Sequence, residues 1–167
     1  MSLELILLLG LILLNGFFAL SEMAIVTSRK GRLKQQAEKS AAARAALTLS
    51  EHPENFLSAV QIGITLVGIV TGLVSGAAIG GHISAWLKQF ELFAEYADPI
   101  GLAIAVVGIT IVSIILGELM PKRLALLAPE RIAVIVGVPM LVFSRVTHPF
   151  VVTLSVMALM VIVVADC

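Results

Sequence analysis

Long apolar runs separated by short polar connections dominate the chain. Three of these runs, at residues 3–26, 55–81 and 99–120, are long enough to cross about 30 Å of hydrocarbon as helices. The second run contains no Asp, Glu, Lys or Arg, and the third is uncharged until Glu118. The pattern predicts an all-α integral membrane domain with three transmembrane helices.

The segments between and after these runs predict helices that lie beside the membrane. Residues 29–51 favour one amphipathic helix along the interface, although a solvated helix fits the pattern equally well. Its weakly apolar positions recur every fourth residue, at Leu33, Ala37, Ala41, Ala45 and Leu49. Residues 130–165 are apolar but contain Pro139 and Pro149, so they fit either a fourth span or elements that stay on the cytoplasmic side.

Basic residues are distributed unevenly among the connections. Six Lys or Arg residues lie between positions 29 and 44, and three more lie between 122 and 131. The connection between the second and third runs instead sets Lys88 against Glu91, Glu95 and Asp98. The positive-inside rule therefore predicts cytoplasmic basic connections, an N-terminus outside and a C-terminus in the cytoplasm.

Composition narrows the class of protein further. The 167 residues are 59% hydrophobic and 13% charged, about half the charged fraction of a soluble domain, and the mean hydropathy is +1.08. The formal net charge of zero gives no reason to expect nucleic-acid binding. The single cysteine, Cys167, excludes an internal disulfide framework. Because the chain shows neither a nucleophile–base set nor a phosphate-cradling loop, we expect no enzymatic activity.

Polar side chains within the apolar runs carry the candidate chemistry. A carboxylate at membrane depth costs about 3 kcal/mol on insertion scales, so Glu22 and Glu118 point to a function. The oxygen-bearing residues are Asn15, Ser21 and Glu22 in the first run, Ser58, Gln61 and Thr65 in the second, and Gly117 and Glu118 in the third. Hard cations such as Mg²⁺ and Na⁺ prefer oxygen ligands. The set therefore predicts a cation site where the three helices converge.

Pro121 adds a backbone oxygen to this set. Proline has no N–H, so the carbonyl of Gly117, four residues earlier, loses its helical partner. A freed carbonyl at membrane depth must be satisfied, and a cation is one way to satisfy it. Gly117 also lacks a side chain that would block the approach.

Simpler roles remain open for the same residues. A single Ser or Thr in a membrane helix usually bonds its own backbone, and Gln61 fits a helix–helix contact. Glu22 and Glu118 also fit interfacial ion pairs with Arg29 and Lys122. A ridge of glycines favours close helix packing, within one chain or across a dimer. The ridge consists of Gly68, Gly72, Gly76 and Gly80.

Three motifs resemble those of the CorC/cyclin M (CNNM) transmembrane domain. They are NGFFALSEMA at 15–24, QIGITL at 61–66 and GELMPK at 117–122. The resemblance implies Mg²⁺ transport, chiefly efflux driven by Na⁺ entry, across the plasma (inner) membrane. It also implies a homodimer with three spans per protomer and cytoplasmic juxtamembrane helices. The pair of cytosolic CBS modules typical of that family is absent from this sequence, so we expect a single transmembrane domain over residues 1–167.

These observations together suggest alternating access around a dehydrated or partly dehydrated Mg²⁺. The expected closest ligands are Ser21, Gly117 and Glu118, with Asn15, Glu22, Ser58, Gln61 and Thr65 as further oxygens. Two other functions remain open: a proton-coupled exporter of small cationic compounds, and a membrane sensor or anchor that transports nothing.

Overall fold

A computed structural model describes residues 2–90 and 94–165, and the regular structure within these ranges is helical. Glu91 and Cys167 lie outside the described residues. The α-helices are α1 (Ser2–Thr27), α2 (Lys30–Ala37), α3 (Ala41–Glu51), α4 (Pro53–Ser75), α5 (Gly81–Leu87), α6 (Ala97–Ile114), α7 (Met120–Leu127) and α8 (Pro129–Ala165). The π-helical segments Gly76–Gly80 and Ile115–Leu119 join α4 to α5 and α6 to α7, and a 3₁₀ turn, Ala94–Tyr96, precedes α6.

Four helical stretches are long and apolar enough to cross a membrane. They are Leu3–Thr27, Pro53–Ser75, Ala97–Leu127 and Pro129–Ala158. The first three overlap the predicted spans, which confirms an all-helical membrane protein over the described residues. The fourth arises because α8 continues through Pro139 and Pro149 without a break. The number of crossings therefore stays a prediction.

The described helices group into two compact units. The first comprises Met1–Leu20 and Gly63–Leu124. Within it, α5 and α6 approach backbone to backbone: a Cβ on Gly101 would lie 2.7 Å from the Ser84 nitrogen. Asp98 accepts hydrogen bonds from the hydroxyl of Ser84 and from the ammonium of Lys88, whose Nζ lies 2.8 Å from Oδ1. The close approach at Gly101 and the polar contacts of Asp98 thus join α5 to α6 in a helical hairpin.

The glycine ridge divides into two halves with different surroundings. Gly76 and Gly80 pack against Leu102, whose Cδ1 would lie 3.0 Å from a Cβ on Gly76. A Cβ on Gly68 or Gly72 would meet nothing within 4 Å among the described residues. Half of the ridge therefore serves packing within the chain.

The second unit comprises Ser21–Ile62 and Ala125–Cys167. The prediction of one continuous helix over 29–51 is wrong, because the helix breaks between α2 and α3. Ser40 is extended there, and its hydroxyl caps α3 by accepting a hydrogen bond from the Ala43 N–H at 3.4 Å. The break changes the helical register, so Ala41 of the predicted stripe is exposed whereas Ala43 and Ala46 are buried.

Within the second unit, α2 and α3 pack along the first half of α8. A Cβ on Gly137 would lie 2.8 Å from the Ala42 carbonyl oxygen and 2.9 Å from the Ala46 nitrogen, so α3 touches α8 at its backbone. Arg32 of α2 lies 3.7 Å from Glu130 at the start of α8. Arg32 lies beside Glu130, and the later residues Ala42 and Ala46 lie beside the later residue Gly137. The α2–α3 segment and α8 therefore run in the same direction.

Candidate functional site

Two of the predicted site residues, Asn15 and Gly117, meet within the first unit. The Asn15 Nδ2 donates a hydrogen bond to the Gly117 carbonyl oxygen at 3.2 Å. Asn15 is only 8% exposed, and Gly117 is buried. A buried side-chain amide on α1 thus donates a hydrogen bond to a backbone oxygen 102 residues away in the chain.

The local backbone explains why this carbonyl is available. In the π-helical segment, the Met120 N–H bonds the Ile115 carbonyl, five residues back, so the turn is wider than an α-helical one. Pro121 follows at once and offers no N–H to the Gly117 carbonyl. The freed carbonyl predicted from the sequence is therefore met by the Asn15 amide, and its second lone pair can accept another partner.

Two glycines allow the close approach between α1 and the π-helical segment. A Cβ on Gly117 would lie 3.2 Å from the Ile12 carbonyl oxygen and 3.3 Å from Asn15 Nδ2. A Cβ on Gly16 would lie 3.1 Å from the Pro121 ring. Gly16 did not figure among the predicted site residues, although its place in the first motif, directly after Asn15, is the signal that could have marked it.

At the other end of the Asn15 amide, Oδ1 is buried and accepts no hydrogen bond from the described residues. Leaving a buried acceptor unpaired costs about 1–3 kcal/mol, and most native structures avoid it. An orphaned amide oxygen beside a freed carbonyl is an arrangement that a cation would complete.

Glu118 adjoins Gly117 in the same π-helical segment, and its side chain is 42% exposed. Its Oε1 lies 2.9 Å from the ammonium of Lys122, one turn later. This is the ion pair considered from the sequence as an alternative to ion binding. An i,i+4 pair of this exposure contributes only about 0.3–0.5 kcal/mol, so a stronger cation would displace Lys122 readily.

The remaining predicted residues differ in their surroundings. In the second unit, Ser21 is fully buried, Glu22 is half-buried and Gln61 is exposed. Ser58 is exposed and donates to the carbonyl of Glu54 at 2.9 Å, the local bond expected of a lone hydroxyl in a helix. The role of these four residues as ligands stays a prediction.

Thr65 belongs to the first unit, as Asn15, Gly117 and Glu118 do, and it is exposed on α4. Within residues 2–90 and 94–165, Thr65 makes no hydrogen bond to those three residues. Nor do three or more His, Cys, Asp or Glu side chains gather anywhere in residues 2–90 and 94–165 so as to hold a metal. The groups that the structure brings together are the Asn15 amide and the Gly117 backbone carbonyl, and Glu118 follows Gly117 in the chain.

Apolar helices of membrane-spanning length, one of which contains a π-helical segment beside buried polar groups, define an integral membrane domain. The chain belongs to the cyclin M (CNNM) family: the profile of the cyclin M transmembrane N-terminal domain matches residues 6–165. The resemblance drawn from the three motifs is thereby confirmed.

Similar proteins occur in several bacteria. The chain is 46% identical to the UPF0053 protein sll0260 of Synechocystis sp. over 93% of its own length and 35% of that protein. It is 33% identical to the UPF0053 protein YhdP of Bacillus subtilis, over 89% of this chain and 34% of the relative. It is also 31% identical to the polyamine export protein of Haemophilus influenzae, over 77% of this chain and 30% of that one. The chain spans about a third of the length of these relatives.

Proposed function

We propose that this domain transports Mg²⁺ across the membrane, as efflux coupled to Na⁺ entry, without catalysing a chemical reaction. The single observation that carries the proposal is the buried Asn15 Oδ1 with no hydrogen-bond partner among the described residues, beside the freed carbonyl of Gly117. Oxygen atoms of amide, carbonyl and carboxylate type are the ligands that Mg²⁺ takes, usually with one or two carboxylates and retained waters.

Each group has a distinct role in the proposed mechanism. Asn15 and Gly117 supply neutral oxygens that replace part of the ion's water shell. Glu118 supplies the negative charge once its carboxylate leaves the Lys122 ammonium. In the absence of a cation, the Asn15 amide and the Lys122 ammonium hold the same oxygens, so cation entry exchanges weak internal partners for the ion. Alternating access would then open this site to each side in turn, and Na⁺ would occupy it after Mg²⁺ leaves.

Export of a small organic cation is a second candidate function. Its support is the name of the Haemophilus influenzae relative, a polyamine export protein. The Glu118 carboxylate already binds the ammonium of Lys122, and a substrate ammonium group would find the same partner. The neutral oxygens of Asn15 and Gly117 add less to ammonium binding than to coordination of a small divalent ion, so we place Mg²⁺ first.

Flux measurements on vesicles containing the chain separate the two functions. Mg²⁺ would be followed with a fluorescent indicator and spermidine with a radiolabel, each under an imposed Na⁺ gradient and under an imposed proton gradient. We expect Mg²⁺ flux that depends on the Na⁺ gradient and is lost in Asn15→Leu. Spermidine flux driven by the proton gradient, with no movement of Mg²⁺, would contradict the proposal and favour the second function.

We further propose a homodimer in the plasma (inner) membrane with three crossings per protomer. The N-terminus would lie outside and α8 on the cytoplasmic side, before a cytosolic CBS-pair region in the full-length protein. The length of the relatives supports the cytosolic region. The packing of α8 along α2 and α3, whose segment carries five basic residues, supports the placement of α8. Cysteines introduced one at a time in a Cys167→Ser background and labelled from each side of right-side-out vesicles would test it; labelling at both ends of α8 from the cytoplasmic side is expected.

A further inference from the structure

A cavity of about 420 Å³ lies within the second unit, where the end of α3 and the start of α4 face the middle of α8. It opens to the surface, because most of the side chains around it are exposed. Hydrogen-bond donors surround it, on His52, Asn55, Ser144, Arg145 and His148. None of these residues belongs to the candidate cation site.

The lining of the cavity favours an anion. Among the described residues, no Asp or Glu lines it, and Arg145 has no ion-pair partner. Beside the lining residues, Oε1 of Glu54 lies 3.9 Å from Nδ1 of His52. The hydroxyl of Thr48, also at the cavity, donates to the Arg44 carbonyl of its own helix and so leaves the binding to the other groups.

Apolar side chains form the rest of the wall. Leu49 is buried, Leu141 is half-buried and Pro149 completes the surface. Beyond the cavity α8 continues with exposed apolar residues such as Phe150 and Leu154. A ligand that matches both features carries a phosphate at one end and hydrocarbon at the other.

We propose that this cavity binds the phosphate of an anionic phospholipid headgroup. The Arg145 guanidinium would bind phosphate oxygens in a bidentate manner, and His148, Ser144 and Asn55 would donate the further hydrogen bonds. Basic pockets beside membrane helices on the cytoplasmic side are recognised sites for acidic lipid headgroups. A guanidinium without a carboxylate partner, within a long apolar helix, is at its least costly where a lipid phosphate meets it.

Binding would have a structural consequence for α8. A headgroup held at Arg145 fixes the middle of this helix at the level of the lipid phosphates. The start of α8 is held by Glu130 against Arg32. With the basic α2–α3 segment along the interface, as the sequence predicts, the first half of α8 would lie along the interface beside α3.

Native mass spectrometry of the detergent-solubilised chain can test the proposal. The protein would be titrated with phosphatidylglycerol, with phosphatidylcholine and with inorganic phosphate. The variants are Arg145→Gln and His148→Gln, and Arg131→Gln is the matched control, because Arg131 is an exposed arginine of α8 that does not line the cavity. Since one basic group near a membrane surface contributes about fivefold to the binding of an acidic lipid, we expect Arg145→Gln to lose about that factor for phosphatidylglycerol. His148→Gln should lose less, and Arg131→Gln should bind as the parent does.

The remaining outcomes distinguish the sources of phosphate. Inorganic phosphate that competes with phosphatidylglycerol only in the parent and in Arg131→Gln supports the phosphate as the group recognised. Binding of inorganic phosphate that depends on Arg145, without binding of phosphatidylglycerol, would overturn the lipid as the ligand. Equal phosphatidylglycerol binding by Arg145→Gln and Arg131→Gln would overturn the site.

Discussion

The first unit contains two π-helical segments, and they differ in what their widened turns expose. In Gly76–Gly80 the glycines face Leu102, and the segment brings two helices together. In Ile115–Leu119 the widened turn is followed by Pro121, carries Glu118 and meets the amide of Asn15. A π-helical turn by itself is therefore weaker support for a site than the unsatisfied polar groups beside it, on which the proposed cation site rests.

The physical reason lies in what replaces the helical hydrogen bonds. Around Gly76 and Gly80, dispersion contacts with an apolar side chain suffice, because no proline follows directly to remove a donor. At Gly117 the missing proline N–H leaves an oxygen that must find a partner at membrane depth. Asn15 provides one, but its own Oδ1 has no partner among the described residues. The unsatisfied acceptor is therefore the Asn15 Oδ1 instead of the Gly117 carbonyl.

The largest expected effect on Mg²⁺ affinity comes from removing the charge of Glu118 in the segment Ile115–Leu119. Glu118→Gln keeps the shape of the side chain but removes its charge. Since an interaction with a charged group contributes about 2 kcal/mol, Mg²⁺ affinity should fall about 30-fold, measured by isothermal titration. Glu95→Gln, an exposed glutamate of the 3₁₀ turn, is the matched control and should leave the affinity unchanged.

Asn15→Leu should separate binding from stability. The variant loses the hydrogen bond to Gly117 but also removes the orphaned Oδ1, so the free energy of unfolding should change by less than about 1 kcal/mol. Mg²⁺ affinity should nevertheless fall about tenfold. Thermal unfolding in detergent and calorimetric titration measure the two quantities. A large loss of stability with unchanged affinity would make Asn15 a packing residue.

Glycine substitutions compare the two segments directly. Gly117→Ala should cost about 1 kcal/mol, because its Cβ would meet the Ile12 backbone oxygen at 3.2 Å. Gly76→Ala should cost less than about 0.5 kcal/mol, since its Cβ meets only the flexible end of Leu102. Thermal unfolding of both variants would check the order; the reverse order would show that the Leu102 side chain cannot move away from a Cβ on Gly76.

The smallest effect concerns the ammonium that holds Glu118. Lys122→Gln frees the carboxylate from its i,i+4 partner, so Mg²⁺ affinity should rise about twofold at low ionic strength and less in high salt. Lys88→Gln removes a comparable ion pair, with Asp98, and should leave Mg²⁺ affinity as it is. A fall in affinity in Lys122→Gln would show that the lysine supports the site instead of competing with the ion.

Much of the fold could be predicted from the sequence because hydrophobic length and Pro121 act locally. The three apolar runs appear as helices, and the freed Gly117 carbonyl follows from the chemistry of proline. The break at Ser40 does not follow from periodicity, since an apolar stripe that recurs at every fourth residue over 29–51 looks continuous when helix capping is ignored. The partner of Gly117 was missed for a different reason: a contact 102 residues apart depends on helix packing that no local pattern encodes.

A structure of the chain with bound Mg²⁺ is the most direct test of the cation site. It should place the ion about 2.1 Å from Asn15 Oδ1, from the Gly117 carbonyl oxygen and from a carboxylate oxygen of Glu118, with Lys122 displaced. An ion held elsewhere, with Asn15 Oδ1 still unpaired and Glu118 still on Lys122, would contradict the proposed site.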